Sequence, residues 1–340
     1  MRSIIFIIVV TLVINIGCSH SHPRERDSFF LRGNTKLEER DFGEAIHFYN
    51  EAIGIDSTFA DAYNNRGIAY FEIGQYQQAI EDYTQALQLR PGFKDALYNR
   101  AHVFLQSNQY EKSLEDLNKI LEVQADTSVY FLQSLAYAGL EQYEEAHAAI
   151  HQVLKLDSTD AEAWVNQGTL YYYQGKYQQA IHSLDKALAV NPREGNAYNV
   201  LGMIQTEHSR YDQAVEFFNQ ALAINPQQAY FFNNRGFVWL QTGELEKARE
   251  DINQSIRLDP QNGYAYRNKG IYYLKTGQTE DAVRVLEQAV QLNEKTEDIY
   301  YYLGKAYLEN GQKSRACEVW KESAERGESS GEESWVANCK

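Results

Sequence analysis

Apolar residues return along most of this chain at helical spacing, in stretches of about fourteen residues separated by short polar or glycine-containing breaks. The pattern predicts helix after helix and no strand. It also repeats itself. "AYNNRGIAYFEIGQYQQAI" from Ala62 aligns without a gap with "FFNNRGFVWLQTGELEKAR" from Phe231, and Gly67 and Gly236 stand 169 residues apart, five times 34 less one. Laid out at a period of 34 from Arg26, the chain gives nine copies, starting at Arg26, Ala60, Lys94, Thr127, Ala161, Gly195, Ala229, Gly263 and Glu297; the third is one residue short. A period of this length means a solenoid of stacked helix pairs.

The positions within a copy carry the packing. Position 8 is small (Gly33, Gly67, Ala101, Ser134, Gly168, Gly202, Gly236, Gly270, Gly304), and so is position 20, from Ala45 to Ala316. Glycine inside a helix costs about 1 kcal/mol, so its recurrence marks a close crossing of two helices. Position 4 is large, from Phe29 through Trp164 to Tyr300, and fills the space between neighbouring pairs. Pro91, Pro192, Pro226 and Pro260 recur at position 32, where one pair hands over to the next. Position 7 is Arg in four copies, and three of those have Asp at position 23. Ion pairs Arg66–Asp82, Arg100–Asp116 and Arg235–Asp251 are therefore expected inside helix pairs.

These repeats resemble the tetratricopeptide repeat family over residues 26–327, with a terminal cap over 328–340. The resemblance implies an all-α, right-handed superhelix of about nine helix-turn-helix units. First helices would line the concave face through positions 2, 5, 6, 9, 12 and 13. Asn65, Asn99, Asn166, Asn234 and Asn268 stand at position 6, and Asn64, Asn199 and Asn233 at position 5. An amide both donates and accepts, so such a series could grip an extended peptide backbone, similar to the asparagine ladder in the repeats of O-linked N-acetylglucosamine transferases. The other reading is that these amides meet water or a neighbouring helix. Tyrosines join the same face in its second half: Tyr172, Tyr173, Tyr230, Tyr264 and Tyr301, with Phe237 and Tyr302. The family's carboxylate clamp does not fit, since Phe30 stands where that type needs Lys.

The first residues read differently. Arg2 precedes thirteen mostly apolar residues, Ile4 to Ile16, too few to span a bilayer, and then Gly17-Cys18. A basic start with a short apolar run is an export signal over 1–17. Gly-Cys resembles the lipobox of bacterial lipoproteins, although Asn15 replaces the usual Leu. That resemblance implies acylation of Cys18, a polar tether over 18–25, and a membrane-anchored protein, by Ser19 on the outer membrane facing the periplasm. Cys317 and Cys339 are then an even pair in an exported chain, and a disulfide between them would fasten a short terminal helix carrying Trp335.

Charge and chemistry narrow the function. A net charge of -15 repels phosphate backbones and argues against nucleic acid. No nucleophile motif or phosphate loop stands out, and His147 and His151, four apart, have no evident third ligand. No catalysis, metal or cofactor is expected. The function expected is a protein-protein interaction scaffold of the cell envelope, holding partner proteins or extended peptides in the groove. The alternative is an accessory lipoprotein that binds glycans or peptides.

Overall fold

The computed structural model describes residues 22–124 and 126–339. Among them are nineteen α-helices and no strand. The chain divides into two compact units, one ending at Asp157 and one beginning at Ser158. The first holds α1 (His22–Glu38), α2 (Phe42–Ile55), α3 (Ala60–Glu72), α4 (Tyr76–Leu89), α5 (Lys94–Gln106), α6 (Tyr110–Leu121), α7 (Thr127–Gly139) and α8 (Tyr143–Leu156). The second holds α9 (Ala161–Tyr173), α10 (Tyr177–Val190), α11 (Gly195–Glu207), α12 (Tyr211–Ile224), α13 (Ala229–Thr242), α14 (Leu245–Leu258), α15 (Gly263–Lys275), α16 (Thr279–Leu292), α17 (Ile299–Glu309), α18 (Lys313–Glu325) and α19 (Ser329–Cys339). The tether expected over 18–25 is already helical from His22, because nothing in "HPRERD" stops a helix after the proline in its first turn. The export signal and Cys18 lie outside the described residues.

Within each pair the two helices are locked by a large side chain of the second set into a gap on the first. A Cβ on Gly67 would come 2.7 Å from the Tyr83 ring, and one on Gly270 would come 2.4 Å from Leu286. The small residue at position 8 thus receives the side chain at position 24, while position 20 (Ala45, Ala79, Ala146 and their counterparts) is fully buried beside it.

Each first helix ends in the same turn. The residue at position 15 adopts left-handed backbone, and the next amide reaches back to the carbonyl five residues earlier, as from Gln75 to Tyr70 (2.8 Å) and from Gln142 to Tyr137 (2.9 Å). This satisfies a carbonyl the helix would leave open. Five of the turns use glycine (Gly74, Gly175, Gly243, Gly277, Gly311); Arg40, Asn108, Glu141 and Ser209 take the same conformation, with φ from 56° to 60°.

Inside each unit the first helices of successive pairs touch, α1 to α3 to α5 to α7 and α9 to α11 to α13 to α15 to α17. Second helices make no comparable contact with each other. A stack that is close on one side and open on the other curves toward the close side, so first helices line the inner face of each unit. At the C-terminus α19 lies on α17 and α18. Trp335 packs on the cluster built from Leu303, Tyr300 and Trp320, and a disulfide joins Cys317 to Cys339. By loop entropy, closing a ring of this length contributes about 3 kcal/mol.

Candidate partner-binding faces

The arginines of position 7 are structural ties. Arg66 meets Asp82 bidentately, Nε to Oδ2 at 2.7 Å and Nη2 to Oδ1 at 2.6 Å, and its Nη1 donates to Asn50 at 2.6 Å. One side chain on α3 thereby holds α4 and the preceding α2. Arg100 does the same with Asp116 (2.7 and 2.9 Å) and Thr84 (2.9 Å), and Arg235 with Asp251 (both 2.7 Å) and Asn219 (2.6 Å). Burial holds the Asp82 carboxyl above the ordinary carboxylate range in spite of Arg66 beside it. Burial, the largest influence, lowers Arg66, but the hydrogen bond to Asp82, the Asp82 charge and the nearby Tyr70 and Tyr63 together outweigh it and the net shift is upward. Desolvation therefore consumes much of the attraction, and the pair fixes geometry more than it adds stability. Arg32 has Phe48 at position 23 in place of Asp, and stacks over that ring at 4.0 Å.

The asparagines sit on the inner helices, but they do not form an open ladder. In the first unit Asn65 donates to Asn34 (2.9 Å), Asn64 to Asn65 (3.0 Å), and Asn99 to Asn64 (3.1 Å). In the second, Asn234 donates to Asn199 (3.0 Å), Asn233 to Asn234 (3.4 Å), and Asn268 to Asn233 (2.8 Å). Asn64, Asn166, Asn199, Asn233 and Asn268 are buried, and Asn65, Asn99 and Asn234 are half-buried. Of the two readings left open by the sequence, the amides follow the one in which they meet a neighbouring helix. They brace one pair to the next, where an unpaired buried amide would be costly.

What remains accessible on the inner face differs between units. In the second, Tyr173, Tyr230 and Tyr264 are 62%, 39% and 40% exposed. Tyr230 donates to Asn196 (2.5 Å) and stands edge-on to Phe231. Tyr172 is half-buried and donates to Glu207 (3.2 Å); burial, with the Glu207 charge, pushes its hydroxyl far above the usual range. Tyr301 and Tyr302, also half-buried, pack edge to face with centroids 4.9 Å apart.

Among these rings lies a residue that the sequence reading passed over. Arg267, at position 5, is buried, and its guanidinium lies 5.5 Å from the Phe237 ring and 5.3 Å from the Tyr264 ring. Its bonds go to neutral acceptors, the Asn268 side chain (3.1 and 3.3 Å) and the Glu297 carbonyl (2.9 Å). The signal was present in the sequence, since position 5 holds no other cation in any copy.

In the first unit the inner rim at position 2 carries Asp27, Asp61 and Asp95. Arg26 holds Asp27 (2.6 Å) and Arg90 holds Asp61 (2.5 Å). Among the described residues no group of three His, Cys, Asp or Glu side chains could hold a metal ion; His151 is exposed and His147 half-buried.

Sequence models of the tetratricopeptide repeat match residues 60–93, 94–127, 131–172, 165–229, 229–262, 252–284 and 298–326, and a further TPR repeat model matches 33–74 and 270–311. Together with the helix pairs they show that the chain belongs to the tetratricopeptide repeat proteins, with an all-α solenoid fold. No curated protein matches it closely enough to count as a relative. Among solved structures it is similar to the APC/C hetero-tetramer Cut9–Hcn1, with a TM-score of 0.63 and 15% identity over 93% of this chain and 76% of that one. Yeast Tom70 gives a TM-score of 0.46 and 14% identity over 93% and 96% of the two chains. MamA from Desulfovibrio magneticus RS-1 gives 0.48 and 23% over 50% and 97%.

Proposed function

We propose that this chain is a protein-interaction scaffold of the cell envelope that holds an extended segment of a partner on the inner face of its second unit. The observation that carries this reading is the set of exposed tyrosines there, Tyr173, Tyr230 and Tyr264, the last of which stands beside the buried guanidinium of Arg267. Tyrosine gives large contact area for little entropy and leaves a hydroxyl for hydrogen bonding. Repeat arrays of this kind act by presenting long surfaces and typically carry no catalytic centre. The N-terminal signal and Cys18 supply the location: an acylated cysteine anchors the scaffold to a membrane, at about 0.8 kcal/mol per buried methylene. The outer membrane, facing the periplasm, is the site that Ser19 favours.

The test is affinity capture from detergent-solubilised envelope, comparing the wild-type chain with a variant in which Tyr173, Tyr230 and Tyr264 are all changed to Ala. A partner held by the wild type and lost by the folded variant supports the reading. Equal capture by both moves the binding surface elsewhere. No captured protein, with a glycan from a panel bound at this face, replaces the scaffold by the accessory ligand-binding reading.

A further inference from the structure

Five copies have a cation at position 7, and four of them give it a partner at position 23: Asp82, Asp116 and Asp251 for Arg66, Arg100 and Arg235, and the Phe48 ring for Arg32. The fifth is Lys269 on α15. Its position 23 is Val285, buried and apolar. The neighbour from the preceding pair has been kept: Asn253 stands on α14 where Asn50, Thr84 and Asn219 stand in the sister copies. Copy eight thus retains the cation and its flanking polar residue and lacks the carboxylate.

A cleft of about 290 Å³ opens at this spot, between α14 and α15 and the start of α16. Its walls include Lys269, Asn253, Arg249, Tyr272, Tyr273 and Gln278. The Lys269 ammonium is half-buried, and among the described residues no carboxylate lies within ion-pairing distance of it. Burial lowers its pKa, the Arg284 charge lowers it further, and Asp281 opposes them. Both nearby arginines are engaged, Arg249 with Glu246 and Arg284 with Asp281, each at 2.5 Å. In a chain of net charge -15, Lys269 is left here as a cation without a carboxylate partner of its own among the described residues.

We propose that the cleft over Lys269 is a carboxylate-binding site, filled by an acidic side chain of a partner protein that supplies from outside the group Asp82, Asp116 and Asp251 supply from within. Asn253 and Gln278 offer amide donors to the second carboxylate oxygen. The site does not rest on the tyrosine face, because its residues stand at positions 7, 10, 11, 16, 21 and 25 of their copies and none is on the inner columns. Either proposal can fail without the other.

The experiment uses the full chain in detergent with 13C-labelled lysine, and follows the Lys269 side-chain resonance, assigned by its loss in Lys269→Met. The probe is blocked aspartate, N-acetyl-Asp-methylamide. Blocked asparagine, sodium chloride at matched ionic strength and inorganic phosphate are the comparisons. The expected result is a saturable shift with blocked aspartate, absent with blocked asparagine and chloride. In Val285→Asp, which restores the missing carboxylate, the apparent affinity should fall by about tenfold or more. A linear drift shared with the other lysines would overturn the proposal. So would saturation by phosphate without saturation by blocked aspartate, or an unchanged response in a folded Val285→Asp. Should that variant not fold, the wild-type titration alone decides.

Discussion

Of the four helix-to-helix turns in the unit ending at Asp157, three put a non-glycine residue, Arg40, Asn108 or Glu141, in left-handed backbone; of the five such turns in the unit from Ser158, one does so, Ser209. The inner faces diverge as well. In the first unit, two of the three aspartates on the rim are held by arginines of that unit, Asp27 by Arg26 and Asp61 by Arg90. The second leaves Tyr173, Tyr230 and Tyr264 open, the last beside Arg267, an arginine whose hydrogen bonds go to neutral groups. Both units brace successive pairs with asparagine amides in the same register. Positions that hold the stack together are thus written alike in both, and solvent-accessible positions of the inner face differ. The contrast is the reason the proposed partner is placed on the second unit.

The largest effect should come from breaking one tie. Arg66→Met leaves Asp82 buried without its cation and should cost the first unit about 3–5 kcal/mol. The double variant Arg66→Met/Asp82→Leu should be close to neutral, since copy six of the second unit carries Leu201 and Phe217 at the equivalent positions. Urea unfolding of the three chains reads this directly. Equal losses in the single and double variants would show that the pair adds net stability.

A smaller effect sharpens the contrast between the turns. Left-handed backbone costs a non-glycine residue about 1–2 kcal/mol, and glycine costs about 0.5–1 kcal/mol in the unfolded chain. Glu141→Gly and Arg40→Gly should each stabilise the first unit by about 0.5–1 kcal/mol, and Gly175→Ala should destabilise the second by about 1 kcal/mol. Thermal melts followed by calorimetry suffice, and destabilisation by Glu141→Gly would refute the strain assignment.

The smallest is a pH effect in the first unit. Burial against Phe71 lowers the pKa of His102. The unfolded chain binds a proton at about pH 6.5, while the folded chain resists until lower pH. The stability that a neutral His102 contributes is therefore intact above about pH 6.5 and lost as pH falls below it. His102→Gln should flatten the stability profile between about pH 7 and 5; an unchanged slope would remove His102 as its source.

Much of this was legible in the sequence, because a 34-residue period repeated nine times makes each position a replicate. Helix pairing and the Arg–Asp spacing follow from such columns. The asparagines were not decidable, since an amide suits a peptide backbone and a neighbouring helix equally, and the choice turns on how closely first helices approach. Arg267 is hard to read in the sequence because it shares its column with asparagines and aromatic residues, and nothing in the spacing tells a buried cation from an exposed one. At position 8 the sequence indicated close crossing but not its agent, the side chain at position 24. The division at Asp157 leaves no mark in the period at all.

One consequence concerns the last helix. A stack of identical pairs has no intrinsic length, and its exposed end invites another pair, from this chain or from a second molecule. Here that landing place is taken: Trp335 is seated on the final pair and Cys339 is bonded to Cys317. The covalent bond works as a terminator. With it in place, α19 stays fastened over the apolar surface of the α17–α18 pair, so the last pair of the stack is covered by its own chain.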